Sequence, residues 1–433
     1  MRRSDKLTSV PHAEAQVKGA ATVTALCLLG DSALYVVLPL YYEAFGLTSL
    51  WEVGVLLAVN RFVRIPVHPL VKRMYRNGSV VRGYQIAIML TVISILACGL
   101  LKHFWLLVVA RALWGVAWSL LRQGGQLAVL QAMRGEERQG AGSLIGQFNG
   151  ISRIGSLVGM VLGAVLTTTL GPFWMCVGFA CAALPGVVLV QYGMRDQPAE
   201  DVDRQADDEL PSSSAVSFRG GWKQLLLYTL LPGMLIAMLY QGLWKSTLGH
   251  WVVQQDFTHL LLLGGLSAAM WTALLHALRW GLEPIVAPWT GRAGDLPSMR
   301  SKLLVASLLA AALLFWLLPL SLPSVLWLII VAGITFTAVT ATTCMDAAAT
   351  MAAHRMNTFH KRQTVIASYL IASDLGAAMG PLFGFVLIEY ASIWSLLPLA
   401  TLTLATAALL MTAEQLAVRK RDKKRSVNVS GMR

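Results

Sequence analysis

Arg153-Ile154-Gly155-Ser156-Leu157-Val158-Gly159-Met160-Val161-Leu162-Gly163 has an echo 221 residues further on, in Asp374-Leu375-Gly376-Ala377-Ala378-Met379-Gly380-Pro381-Leu382-Phe383-Gly384. In both stretches glycines recur at i, i+4 and i+8 inside an apolar run long enough to cross a membrane. On a helix such glycines lie nearly in line and leave a groove where another backbone can approach closely, which is how membrane helices pack without a hydrophobic drive. The duplication predicts two related helical bundles, an arrangement suited to moving a solute between them.

Outward from the ladders the chain stays apolar. Of 433 residues 56% are hydrophobic and 13% charged, with a mean hydropathy of +0.61, whereas a soluble domain carries about 25% charged residues. Apolar runs follow one another from Ala20 to Met411, so the expected class is an all-α polytopic membrane protein. The first nineteen residues are largely polar and carry a basic excess, without a short apolar core and cleavage site. No removable signal peptide is expected, and the first span is the targeting signal. Cys27, Cys98, Cys176, Cys181 and Cys344 fall in apolar segments without metal-binding spacing and read as small buried hydrophobes. The eight histidines are scattered, so neither a metal site nor a cofactor is expected. The net charge of +13 is distributed over alternate short loops, a topology signal that argues against a nucleic-acid partner. A G-x-x-x-x-G-K-[ST] loop, an H-E-x-x-H motif and a soluble domain large enough for an ATPase are all missing, so the chain is not expected to be an enzyme.

Windows of about 20 residues give twelve spans, near 20–42, 50–70, 82–101, 104–132, 141–166, 173–193, 222–253, 260–288, 301–320, 324–353, 364–388 and 393–416. Lys72, Arg73, Arg76, Arg82, Arg134, Arg138, Arg292, Arg300, Arg355, Lys361, Arg362 and both tails mark one side, and the opposite loops offer almost only Lys102. The positive-inside rule predicts both termini in the cytoplasm, hence an even number of spans, in an inner or plasma membrane. Residues 194–221 carry Asp201, Asp203, Asp207, Asp208 and Glu209 before a Pro-Ser-Ser-Ser run and read as an acidic cytoplasmic linker. The predicted domains are an N-terminal six-helix bundle at 1–193, this linker, a C-terminal six-helix bundle at 222–416 and a basic cytoplasmic tail at 417–433. A second echo, offset by 218 residues, relates Arg61, Pro66, Asn77, Arg82 and Gly115 to Arg279, Pro284, Asp295, Arg300 and Gly333. Pro66 and Pro284 near the cytoplasmic ends of their spans, with Arg279 and Glu283 one turn apart, read as a bent, ion-paired gate on that side.

Four patterns together resemble the major facilitator superfamily over nearly the whole chain: Gly146-x8-Gly155-x3-Gly159-Met160-x2-Gly163, Arg111-x3-Gly115, Asp31 with Leu38-Pro39, and Gly291-x3-Asp295. The resemblance implies two six-helix bundles related by pseudo-twofold symmetry that rock about a central cavity. The fifth-span glycines look like those of the family's antiporters with Met160 in the usual proline place, and the eleventh span supplies that proline as Pro381. The first span is similar to that of twelve-span drug and metabolite exporters. Helix packing and gating are implied for Gly155, Gly159, Gly163, Arg153, Asp374, Gly376, Gly380, Pro381, Gly384, Gly291 and Asp295.

An ionisable side chain at mid-bilayer costs at least ~2.5–3.5 kcal/mol, so each one is a functional hypothesis. The resemblance implies that the first, fourth, seventh and tenth spans line the cavity, and these carry Asp31, Arg111 with Arg122, Lys245, and Asp346. Asp31 lies near the middle of its span, and Arg111 about seven residues, ~10 Å, inside its own. A neighbouring arginine favours the ionised carboxylate and desolvation the neutral one, so Asp31 can take a proton in one conformation and release it in another. Proton coupling at Asp31 and Arg111 and a purely structural pair both stay open. Tyr35, Asn60, Trp118, Arg122, Gln241, Trp244, Lys245, Asp346 and Tyr369 are candidate cavity residues, supplying stacking, hydrogen bonds and charge. The expected function is secondary active transport by alternating access: a proton-coupled antiporter for efflux of a small organic compound. A monomer is expected, with a small-molecule substrate, protons and the lipid bilayer as partners. Two alternatives remain: uptake of an organic anion, favoured by the excess of Arg111, Arg122 and Arg153 over Asp31, and a non-transporting sensor or lipid-handling protein of the same fold.

Overall fold

The computed structural model describes residues 4–77, 79–132, 141–193, 223–255, 257, 265–294, 297–354, 356 and 359–430. Regular structure among them is entirely helical. One series comprises α1 (Ser4–Leu40), α2 (Leu50–Asn77), α3 (Val80–Leu100), α4 (Phe104–Ala132), α5 (Ala141–Leu170), α6 (Pro172–Ala183) and α7 (Pro185–Gly193). The next begins with α8 (Leu231–Ala237) and α9 (Lys245–Val253), and continues through α10 (Ala268–Gly294), α11 (Pro297–Leu317), α12 (Ser324–His354), α13 (Phe359–Tyr390) and α14 (Leu396–Ser430). Around α8 the rod widens into π-helical turns at Leu226–Leu230 and Met238–Trp244, so 223–253 runs as one span with two irregular stretches. Residues 194–221, Gly78, Arg134, Arg138, Asp295 and Arg355 lie outside the described residues.

Among the described residues ten helical stretches are long and apolar enough to cross a membrane, α6 and α7 counting as one across Pro185. The other two sequence-predicted spans correspond to α2 and α10, which have ample length at 28 and 27 residues. Their apolar runs are diluted by Glu52, Arg61 and Arg64 in α2 and by His276, Arg279 and Glu283 in α10, and each contains two prolines. Trp105, Leu313, Ile329 and Leu402 are each more than 60% exposed, as befits side chains surrounded by lipid. Inside, hydroxyls turn back on their own helices: Thr24, Thr91, Thr247 and Thr335 each donate to the carbonyl four residues earlier, at 2.7–2.9 Å. That satisfies a polar group where water is absent.

The chain divides into two compact units, one formed by Met1–Ser214 with Ser267–Ala277 and the other by Ala215–Leu266 with Leu278–Arg433. Within the first, α1 lies along α5. The glycines of α5 make this possible: a β-carbon on Gly155 or Gly159 would strike the backbone at Ala25 or Leu29, and one on Gly163 would strike Ala33. Gly146, the first glycine of the pattern, faces open space. The start of α10 belongs here too, its Ala269 and Ala273 packing with Val36, Met160 and Ala164. At the far end of α4, Gly124 and Gly125 admit the rings of Tyr84 and Phe148, while the Tyr75 and Tyr84 hydroxyls donate to the Leu120 and Leu121 carbonyls at 2.9 and 3.2 Å.

The second unit repeats the ladder contact. Gly376 of α13 backs onto Met234, Gly380 onto Met238, Gly242 and Leu243, and Gly384 onto Leu243 and Thr247. Pro381 has no N–H for the Ala377 carbonyl, and that carbonyl faces Gly242, where a β-carbon would come within 2.9 Å of it. The π-helical turns therefore sit where two glycines and a proline bring the backbones close.

Candidate functional site

In the first unit α1 and α4 bring Asp31 and Arg111 together. Arg111 Nη2 lies 2.7 Å from Asp31 Oδ1, and its Nε donates to the Leu56 carbonyl of α2 at 3.2 Å. The guanidinium is 1% exposed and the aspartate 7%. One arginine thus ties three helices, with its charge met by a single carboxylate in a low-dielectric interior. Tyr35, one turn beyond Asp31 on α1, is buried alongside.

One turn past Leu56 on α2 lies Asn60, fully buried, whose side-chain oxygen and nitrogen have no hydrogen-bond partner among the described residues. Gly115, one turn past Arg111, lets the two helices approach here, since a β-carbon at 115 would reach the Asn60 carbonyl. A wholly buried, unsatisfied amide is costly in a static apolar site. Beside it Trp114 and Trp118 stand with ring centroids 6.3 Å apart, their indole N–H groups also without acceptors among the described residues. The Arg64 guanidinium lies 5.4 Å above the Trp118 ring, within cation–π range. Arg61 and Arg64 are both buried, so the described buried charges of this unit are three arginines against Asp31. Arg122, two turns along α4 from Trp118's neighbour Gly115, is half-buried and makes no ion pair or hydrogen bond among the described residues.

In the second unit the Tyr369 hydroxyl donates to Asp346 Oδ1 at 2.8 Å, joining α13 to α12. The tyrosine is buried and its ring fills the space above Gly233, whereas Asp346 is exposed. Tyr240, inside the π-helical turns, pairs its hydroxyl with that of Thr337 at 3.2 Å. Trp244 packs edge-on against Phe315 at 5.3 Å, while Gln241 and Lys245 beside it are half-buried. Tyr369→Phe removes the hydroxyl that holds Asp346. We expect it to lower stability by about 0.5–1.5 kcal/mol, the net worth of one ordinary hydrogen bond. Thermal unfolding of the purified variant checks this.

The two residues that precede the ladders differ in setting: Arg153 is exposed and Asp374 buried. The buried basic excess comes instead from Arg61 and Arg64. Arg61 entered the sequence reading only as a repeat marker and Arg64 not at all, although two arginines three residues apart in an apolar run were the available signal. Gly291 lies within α10, and Asp295 is outside the described residues. Among the described residues no three His, Cys, Asp or Glu side chains group as metal ligands would. Cys27, Cys98, Cys176 and Cys344 are buried, while Cys181 is exposed.

Solved transporters share this architecture. The nucleoside transporter NupG superposes with a TM-score of 0.67 at 11% identity, over 93% of this chain and 98% of its own. A bacterial homologue of the human lysosomal transporter Spinster, inward-facing and occupied, gives 0.65 at 15% identity, over 93% and 96%. A peptide transporter, POT, in complex with sulfate gives 0.69 at 14%, over 94% of each. No curated protein matches the sequence significantly. At such identities these likenesses speak to the fold, and the family follows from the sequence itself: residues 20–345 match the Major Facilitator Superfamily. With a helical fold of transporter type and a match over most of its length, this chain belongs to the Major Facilitator Superfamily, as a membrane transporter and not an enzyme.

Proposed function

We propose that this secondary transporter is driven by protons and exports a small organic compound, with Asp31 as the proton acceptor and Arg111 as the partner that responds to its charge. One observation carries the reading, the buried contact of 2.7 Å between them. Protonating Asp31 removes the counter-charge of a guanidinium that also holds the Leu56 carbonyl, so one proton changes how α1, α2 and α4 are tied. Because α1 rests on α5 along a row of glycines, it has a smooth surface on which to shift. The fully buried Asn60 amide, without an internal partner, is suited to hydrogen-bond a solute or water that enters. The fold is shared with transporters of nucleosides and of peptides, which favours an organic solute. We take the functional unit to be a monomer with both termini in the cytoplasm and an inner or plasma membrane as its site.

A second reading, uptake of an organic anion, draws on the three buried arginines Arg61, Arg64 and Arg111. The two separate in vesicles that record lumenal pH. In acidified inside-out vesicles, adding a transported compound should release lumenal protons, and the Asp31→Asn variant should release none. Anion entry accompanied by protons, moving in the same direction, favours the second reading. Counter-flow of protons undiminished in Asp31→Asn would remove Asp31 from the coupling step.

A further inference from the structure

The corner where α2 passes to α3 holds a cavity of about 490 Å³, lined by Arg73, Arg82 and Ser79 and by the apolar Leu70, Met74 and Ile86. That is the size of small-ligand sites, ~300–1,000 Å³. Its charged lining is wholly basic. Both guanidiniums are exposed, and neither makes an ion pair or side-chain hydrogen bond among the described residues. Lys72 and Arg76, on the same turns of α2, are exposed as well.

The corner is held in shape without help from these charges. Tyr75 is buried, its hydroxyl donating to the Leu120 carbonyl at 2.9 Å and its ring occupying the space that a side chain at Gly83 would need. The Arg82 backbone N–H donates to Ser79 Oγ at 3.1 Å, capping α3. The apolar side of the cavity continues onto Leu70 and Ile86, which are 65% and 46% exposed. The stretch of α3 long and apolar enough to cross a membrane starts at Val80, so these cations lie at the start of that stretch, beside exposed apolar side chains.

We propose that this corner binds the phosphate headgroup of an anionic phospholipid. The forked guanidiniums of Arg73 and Arg82 suit phosphate oxygens, and the acyl chains lie along Leu70 and Ile86. The site is separate from the Asp31–Arg111 pair and does not depend on the direction of transport.

The test is native mass spectrometry of the full-length protein in mild detergent, offered phosphatidylglycerol or phosphatidylcholine of matched chains. Phosphatidylglycerol should be retained preferentially. Arg73→Gln with Arg82→Gln removes two charge-assisted contacts, which should lower its retention at least about tenfold. The Arg73→Lys with Arg82→Lys pair should fall between, having charge without the fork, and Arg292→Gln, a basic residue elsewhere, should behave as wild type. If the double glutamine variant does not fold, wild-type retention must still fall with ionic strength. Equal retention of the two lipids, or retention indifferent to the arginines or to salt, overturns the proposal. Stabilisation by inorganic phosphate with no lipid retained also overturns it, leaving a small-anion site.

Discussion

Replacing Arg111 with alanine should destabilise the protein by about 3–5 kcal/mol, because it leaves the Asp31 carboxylate buried without a counter-charge and the Leu56 carbonyl without its donor. Asp31→Asn should cost a comparable amount, since asparagine can still accept from the guanidinium but leaves the buried arginine charge without its counter-charge. The pair Asp31→Asn with Arg111→Gln should recover much of the single-variant loss, giving a coupling of at least about 1.5 kcal/mol in a double-mutant cycle. The cycle is read from unfolding in detergent or lipid nanodiscs. Additive effects of the two changes would mean that the 2.7 Å contact carries no free energy of its own. Stability and transport are expected to part company here: the double variant regains folding but not proton movement, because no carboxylate then remains at the contact between α1 and α4.

The second large effect is steric. Gly159→Val puts a branched side chain where the backbone of Leu29 already lies. Flexible side chains can yield to an intruding methyl group, but a helix backbone yields only by moving as a body, so α1 must lift away from α5 along several turns. We expect a loss of about 3 kcal/mol or more, at or above the upper end of ordinary overpacking, and a sharp drop in folded yield. Gly146→Val and Gly150→Val are the internal controls. They lie on the same helix, but nothing stands within 4 Å of a β-carbon at either position, so each should stay within about 0.5 kcal/mol of wild type. Loss of folding in all three alike would point to a general intolerance of added bulk along α5 and against the close approach of α1, since valine is a better helix former than glycine.

The ladders were legible because their spacing is itself the packing device: glycines four residues apart can only make a groove. Which backbone fills the groove was not, since Ala25, Leu29 and Ala33 look like any other small or apolar residues of a span. Asp31 and Arg111 stood out because charges are rare in apolar runs, yet their distance is a property of how α1 meets α4. The same rarity should have drawn notice to Arg64, which the flanking prolines and basic residues of α2 disguised as the end of a span. Asn60 reads in the sequence as one polar residue among many; that its amide has no partner among the described residues appears only when α4 closes over it through Gly115. The Tyr240–Thr337 contact and the π-helical turns left no mark in the sequence, because a change from i+4 to i+5 hydrogen bonding needs no particular residue type.

Those π-helical turns amount to a break in symmetry one residue wide. The three glycines of α5 meet Ala25, Leu29 and Ala33, and those of α13 meet Met234, Met238 and Leu243. The first two pairs of partners are 209 positions apart and the third is 210, so the second copy has gained one residue between Met238 and Leu243, inside the turns at Met238–Trp244. In a regular α-helix one extra residue would turn everything beyond it by about 100° about the axis. The wide turns absorb it, so Leu243 still meets Gly384 as Ala33 meets Gly163. At the depth where the first copy holds an aspartate, the second holds Tyr240 and Gln241. A duplicated protein can in this way keep the glycine contacts on which both copies depend while the side chain at the equivalent place changes from an acid to a neutral one.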